Sequence, residues 1–207
     1  RPSPSRPNAF REQHGFGDAF VVMYSGNHGV QNPLATLLDA ARELEAREVQ
    51  ARQDILFVFI GGGVGKLEVE RRIEAGASNL RSLPFEPLAR IGTSLSAADV
   101  HVVSLADKAV GIIHPCKVYG AMAIGRPILF FGPPESHVGD ILRHGDIGRT
   151  VSHGDVTGAV AAVEELAAIG ESARATMGRR AMAGIAESFT SAALQAEFCG
   201  ILEEAAR

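Results

Sequence analysis

Two short apolar runs, each broken off by glycine, constrain this chain most: Ala19-Phe20-Val21-Val22-Met23-Tyr24 before Ser25-Gly26-Asn27, and Ile55-Leu56-Phe57-Val58-Phe59-Ile60 before Gly61-Gly62-Gly63. A strand with one wet face alternates polar and apolar residues, so an unbroken run marks a strand buried on both faces, as in parallel sheets covered by helices. Between the two runs, Pro33 suits a helix start, and Leu34, Leu37, Leu38, Ala41 and Leu44 fall on one helical stripe. The alternation goes on: a charged helical stretch over 66–75, a short strand over 80–83, a helix over 88–96 and a strand over 100–103. A polar loop, a helix over 115–123, a strand over 128–131 and a weaker strand over 147–151 follow. Strands and helices in this rhythm predict right-handed βαβ units, hence an α/β fold with a doubly wound parallel sheet of about six strands. From Asp155 the chain is alanine-rich, and helices are expected over 156–168, 172–188 and 191–206 as extra carboxyl-terminal elements that cover the sheet or reach a partner domain.

A chain of 207 residues with 46% apolar content supports one domain without staples. The expected division is a lead segment over 1–18 and the domain proper over 19–207. Arg1-Pro2-Ser3-Pro4-Ser5-Arg6-Pro7 reads as an interdomain connector, so a chain cut from a longer protein is expected. The formal charge of −4 comes from mixed rather than blocked charges, which argues against a nucleic-acid partner and for a small-molecule ligand. Two cysteines, Cys116 and Cys199, make no disulfide framework, and no apolar run approaches the roughly 20 residues of a membrane-spanning helix. A cytoplasmic setting is expected.

In open α/β sheets ligands bind beyond the carboxyl ends of the strands, which directs attention to the loops there. Gly61 to Lys66 is neither a Walker A loop, since Ile60 and Leu67 stand at required positions, nor a dinucleotide fingerprint, since it follows the second strand. Its glycines still permit close backbone approach, to a ligand or to a neighbouring loop. More informative is His114-Pro115-Cys116-Lys117-Val118. With Pro115 in the first turn, the amides of Cys116, Lys117 and Val118 are expected to be bare and aimed outward at the positive dipole end, a setting for a diphosphate. The dipole supplies about half a charge, so a side-chain cation is needed as well, and Lys117 is the candidate. His28 and His114 are the two histidines in expected ligand loops; Asp99 reads as a strand-start residue.

The run Lys117-Val118-Tyr119-Gly120-Ala121-Met122-Ala123-Ile124-Gly125-Arg126-Pro127-Ile128-Leu129 resembles the donor-site helix and following strand of GT-B glycosyltransferases of the retaining family 4 type (glycosyl transferases group 1). Tyr24 to Gly29, Phe57 to Gly63, Leu83-Pro84-Phe85-Glu86-Pro87-Leu88 and Ser96 to Val100 match the same family in the same order. The resemblance implies the Rossmann-like, nucleotide-sugar-binding half of a GT-B fold, with a nucleoside-diphosphate sugar as donor substrate and no cofactor or metal. It places Pro84 and Phe85 at the base, the Gly26-Asn27 turn near the diphosphate and sugar, and the amides of Cys116 and Lys117 at the phosphates; His28, Gly62, Gly63, His114 and Val118 join the expected donor site by their place in the loops and at the helix start. Lys117 takes the catalytic role of steadying the leaving diphosphate. An amino-terminal acceptor-binding domain, absent from this chain, is the implied partner. Bacterial surface polysaccharide or lipid-linked glycan synthesis is the implied setting, with the full-length enzyme at the inner face of the membrane.

Departures from the family pattern stand out. Ile112 and Gly120 occupy the positions of its glutamate pair, and Asn27, His28 and Gln31 stand where many members carry an arginine and a lysine. Lys117, with Lys108 or Lys66, would then carry more of the neutralising charge. Two other readings stay open at this point: a GT-B nucleotide-sugar epimerase and a non-catalytic nucleotide-binding module.

Overall fold

In the computed structural model, residues 6–48, 54–188 and 191–205 are described. The start at 1–5 and the Phe189-Thr190 break expected between helices lie outside them. Helix α1 (Ala9–His14) precedes β1 (Phe20–Asn27), α2 (Ala35–Glu48), β2 (Ile55–Gly62), α3 (Lys66–Glu74) and β3 (Leu80–Leu83). Then come α4 (Ile91–Ser96), β4 (Val100–Ser104), α5 (Lys117–Ile124), β5 (Ile128–Phe131), α6 (His137–Gly145), β6 (Gly148–Val151), α7 (Val156–Ala168), α8 (Gly170–Ser188) and α9 (Ser191–Ala205). Short 3-10 turns at Leu88–Arg90 and Asp107–Ala109 fill two loops.

The six strands form one sheet in the order β3-β2-β1-β4-β5-β6, every neighbouring pair parallel. The order reverses between β1 and β4, and at such a switch point the loops beyond the strands part to leave a crevice. Both faces of the sheet are buried. Phe20, Val22, Phe57 and Phe59 share one apolar cluster with Leu37 and Leu38 of α2 and Val160 and Val163 of α7. The residues between them, Val21, Met23, Val58 and Ile60, point to the other side with Phe10 and Ala97. There Phe130 also meets Val118 and Met122 of α5 and Val138 of α6. The period of two in the strands thus appears as two apolar layers, which is why no polar alternation marks them in the sequence.

Two features depart from the expectations. The segment 1–18, read as a lead ahead of the domain, contains α1, and the body of the domain includes it. Asn8 caps the helix by accepting from the amides of Phe10 and Arg11, Gly15 closes it in the left-handed region, and Phe10 and Phe16 are buried. Arg11, itself buried, donates to Asp99 Oδ2 at 3.2 Å and to the carbonyl oxygens of Ala97 and Ala19. Asp99 also accepts from Val21 N at 2.9 Å and from Arg6. A buried carboxylate between two guanidiniums needs such hydrogen bonds to offset its desolvation, and this one locks α1 to the sheet. The second departure is α6, which no sequence expectation covered. Ser136 caps it, accepting from Gly139 N, and Gly139 lies so close to the Pro134 carbonyl that a Cβ would fall 2.1 Å from that oxygen.

Candidate functional site

At the switch point the loop after β1 lies against the loop after β2. Gly61 has φ +128°, and a Cβ on it would sit 2.0 Å from the Gly26 carbonyl oxygen. His28 N donates to Gly62 O and Gly65 N donates to His28 O, both at 2.8 Å. The glycines that end β2 therefore serve the close approach of the β1 and β2 ends, and Gly63, in the loop beyond, sits against the Asn27 side chain and the His28 carbonyl. Lys66 completes this corner: its ammonium donates to Gly61 O and Leu83 O, each at 2.7 Å, tying β2 to the end of β3. It is occupied as a strut and is not poised over the cleft.

Lys117 faces the crevice. Its side chain lies over Gly26, where an added Cβ would meet Lys117 Cε at 2.5 Å, and φ at Gly26 is +132°. The ammonium donates to Asn32 Oδ1 at 3.2 Å and stands 5.2 Å from the centre of the Tyr24 ring. Asn32 is itself held, donating to Ser104 O at 3.0 Å. Burial pushes the Lys117 pKa down, with the neighbouring Cys116 opposing the shift. A half-dehydrated ammonium with one neutral acceptor and an aromatic face is under-neutralised, and an anion beside it would regain what burial removed.

The amino end of α5 differs from the expectation of three bare amides. Cys116 N donates to His114 O at 2.9 Å and Val118 N to Pro115 O at 3.1 Å, because the chain enters the helix through a tight turn that consumes them. Only Lys117 N of the three has no backbone acceptor among the described residues. Val118 is buried with its side chain in the core, so neither its amide nor its side chain faces the crevice. Lys117 carries more of any anion's neutralisation than the helix end does.

On the other side, Phe85 lies across the glycines: Cβ atoms on Gly61 and Gly62 would meet its ring at 3.1 and 3.2 Å. Phe85, Gly26 and Lys117 border a cleft of about 280 Å³ whose walls include Ile60, Ile91, Leu95, Glu86, Gly120 and Ala121. That is close to the lower limit for sites that hold small molecules. His101 is part of the wall but is a structural group. It is fully buried, shares a hydrogen bond with Leu95 O at 2.9 Å, and burial lowers its pKa to about 4.

The expected site residues thus divide. Gly26, Gly62, Phe85 and Lys117 converge, with Asn27 and Gly63 at the rim and Pro84 exposed beside Phe85. His28 does not reach the cleft. It is 0% exposed, its ring packs edge-on to Tyr24 at 4.8 Å, and both ring nitrogens are buried without a hydrogen-bond partner among the described residues. Burial lowers its pKa. His114 belongs to a neighbouring hollow, and Cys116 is exposed and lines neither it nor the cleft. There His114 Nε2 lies 2.8 Å from Tyr119 Oη, which lies 3.2 Å from His137 Nε2. Sequence reasoning missed Asn32, Tyr119 and His137. Asn32 carried no signal, since only the folded chain brings it to Lys117 85 positions away.

Among the described residues no group of three or more His, Cys, Asp or Glu is placed to hold a metal ion. No helix among them is long and apolar enough to cross a membrane.

Comparison with known proteins places this geometry in context. Over 147 residues the chain is 26% identical to the probable glycosyltransferase WbjE of Pseudomonas aeruginosa, covering 70% of this chain and 35% of that protein. Over 106 residues it is 26% identical to the putative colanic acid biosynthesis glycosyl transferase WcaI of Escherichia coli K12, covering 51% and 25%. The chain thus spans between a quarter and about a third of these relatives. Among solved structures it is similar to Anabaena Alr3699/HepE in complex with UDP-glucose, with a TM-score of 0.72 at 18% identity, covering 98% of this chain and 53% of that one. It is also similar to WaaG, a glycosyltransferase involved in lipopolysaccharide biosynthesis, with a TM-score of 0.67 at 14% identity, covering 89% and 47%. The family model for glycosyl transferases group 1 matches residues 19–168, most of the chain, and the six-stranded parallel sheet with its flanking helices is that of the GT-B neighbours: the chain belongs to the glycosyl transferases group 1 family.

Proposed function

We propose that this chain is the donor-binding half of a GT-B glycosyltransferase and holds a nucleoside-diphosphate sugar in the cleft at the switch point. The observation that carries the reading is the half-buried Lys117 ammonium, set over Gly26 between the ends of β1 and β4. The nucleoside lies along Phe85, Ile91 and Leu95, and the diphosphate lies at Lys117, the free amide of that residue and the Gly26-Asn27 turn. A nucleoside-diphosphate sugar carries about two negative charges, of which Lys117 offsets one and a helix end about half. When the sugar departs, charge grows on the diphosphate, and a fixed ammonium in a partly dehydrated cleft stabilises that change more than it stabilises the ground state. The acceptor is bound by an amino-terminal domain, which also supplies the remaining groups of the reaction. Bacterial surface polysaccharide or lipid-linked glycan synthesis is the setting, a reading supported by relatives named for colanic acid and lipopolysaccharide biosynthesis, and the full-length enzyme works at the inner face of the membrane.

The test is calorimetry with uridine and guanosine diphosphates. A charge-assisted hydrogen bond contributes about 1.5–3 kcal/mol, so Lys117→Ala is expected to weaken binding about tenfold to a hundredfold. Failure of the unmodified chain to bind either nucleotide would contradict the reading.

A further inference from the structure

Among the described residues Glu86 is the one carboxylate in the wall of the cleft. It follows Phe85 in the loop beyond β3, and only 11% of its side chain is exposed. Its Oε2 is buried and has no hydrogen-bond donor among the described residues. Arg90 Nε stands 3.4 Å away, within ion-pair range but outside hydrogen-bond geometry. A mostly buried carboxylate held at this oxygen by an ion pair alone, without a hydrogen bond, is stabilised by a ligand that brings N–H donors. The Phe85 ring lies against Gly61 and Gly62, and Ile91 and Leu95 are apolar, so this end of the cleft suits a planar ring, while Lys117 and Gly26 mark the anion end.

We propose that Glu86 selects the nucleobase, and that the base it selects is one presenting an imino N–H and an amino group side by side, as guanine does. This rests on the donor-site reading given above. A carboxylate only accepts hydrogen bonds, and its two oxygens match two adjacent N–H donors. Uracil offers a single N–H flanked by two carbonyl oxygens, which would be set against the carboxylate and repelled by it. The ion pair with Arg90 keeps the carboxylate oriented while the cleft is empty.

The experiment titrates guanosine, inosine and uridine diphosphates, and 2′,3′-dideoxyguanosine diphosphate, into the unmodified chain and the isosteric variant Glu86→Gln, with circular dichroism confirming that the variant is folded. Inosine lacks the amino group. It is expected to bind about tenfold more weakly than guanosine diphosphate, with the uridine nucleotide weaker still. In Glu86→Gln the gap between guanosine and inosine diphosphates is expected to close to within about twofold, and removal of the ribose hydroxyls is expected to weaken both proteins equally. Tighter binding of the uridine nucleotide, a gap that persists in Glu86→Gln, or a Glu86→Gln effect that disappears with the ribose hydroxyls would each overturn the proposal while leaving the donor site standing. No binding of any nucleotide would instead remove the donor-site reading on which it rests.

Discussion

Replacing Gly61 by alanine probes the contact that shapes the cleft, and its cost can be worked from two sources. The first is backbone strain. At φ +128° an L-residue sits in a region open almost only to glycine, at about 1–3 kcal/mol. The second is the neighbour: the new methyl would lie 2.0 Å from the Gly26 carbonyl oxygen and 3.1 Å from the Phe85 ring. Phe85 can rotate away, but the carbonyl belongs to β1 and moves only with the strand, and such overpacking costs about 1–3 kcal/mol. Together these give about 2–6 kcal/mol, a large part of the stability of an ordinary domain. Gly76→Ala provides the control, since φ there is +104° and nothing lies within 4 Å of the added methyl, so only strain is felt. Urea unfolding of both variants, read by circular dichroism, separates the two contributions. Gly61→Ala is expected to lose about 1–3 kcal/mol more than Gly76→Ala and to lower the melting temperature by roughly 4–24 °C. Equal losses at the two positions would refute the claim that Gly61 is needed for the close approach of the β1 and β2 ends.

Asp99→Ala leaves the buried Arg11 without its counter-charge, and unfolding measurements are expected to show a loss of about 3–5 kcal/mol; a loss below about 1 kcal/mol would mean that α1 is not held by this pair. His101 is buried neutral with its pKa lowered to about 4, so the stability it permits is complete above the unfolded value of about 6.5 and falls as pH drops towards 4. The loss amounts to about 3 kcal/mol at about 1.4 kcal/mol per pH unit, and the burial of His28 works in the same direction. Urea midpoints measured from pH 7 to pH 4 should decline less steeply in His101→Gln, whose amide can still donate to Leu95 O; an unchanged slope would count against this origin.

The sheet was legible because strands buried on both faces cannot hide: the runs at 20–24, 55–60 and 128–131 each lie in a strand, although the turns expected at Ser25-Gly26-Asn27 and Gly61-Gly62 are still paired strand, since β1 and β2 run on to Asn27 and Gly62. Helix α6 was obscured by Pro133-Pro134 ahead of it and by Gly139 and Gly145 within it, although Ser136 followed by Val138, Ile141 and Leu142 is a cap and a stripe. Helix α1 escaped notice because the proline-rich start draws attention from Asn8 and Phe10, whose partners lie about ninety positions away at Thr93 and Ala97. At the candidate site, loop position, the helix start and the family resemblance singled out Gly26, Phe85 and Lys117, which border one cleft. It misplaced His28, because whether a loop side chain turns outward or folds beneath its neighbour depends on the loop it meets, here the one at Gly62 to Gly65. The amides of Cys116 and Val118 were misjudged for a related reason: Pro115 fixes the first turn, but the turn ahead of it closes hydrogen bonds that spacing does not reveal.

The most direct test of the central claim is a crystal structure of the chain with a nucleoside diphosphate, guanosine or uridine. The account predicts phosphate oxygens within about 3 Å of Lys117 Nζ and beside the Gly26-Asn27 turn, with the base against Phe85. A diphosphate bound instead in the hollow of His114, Tyr119 and His137, with Lys117 still turned to Asn32 alone, would contradict it.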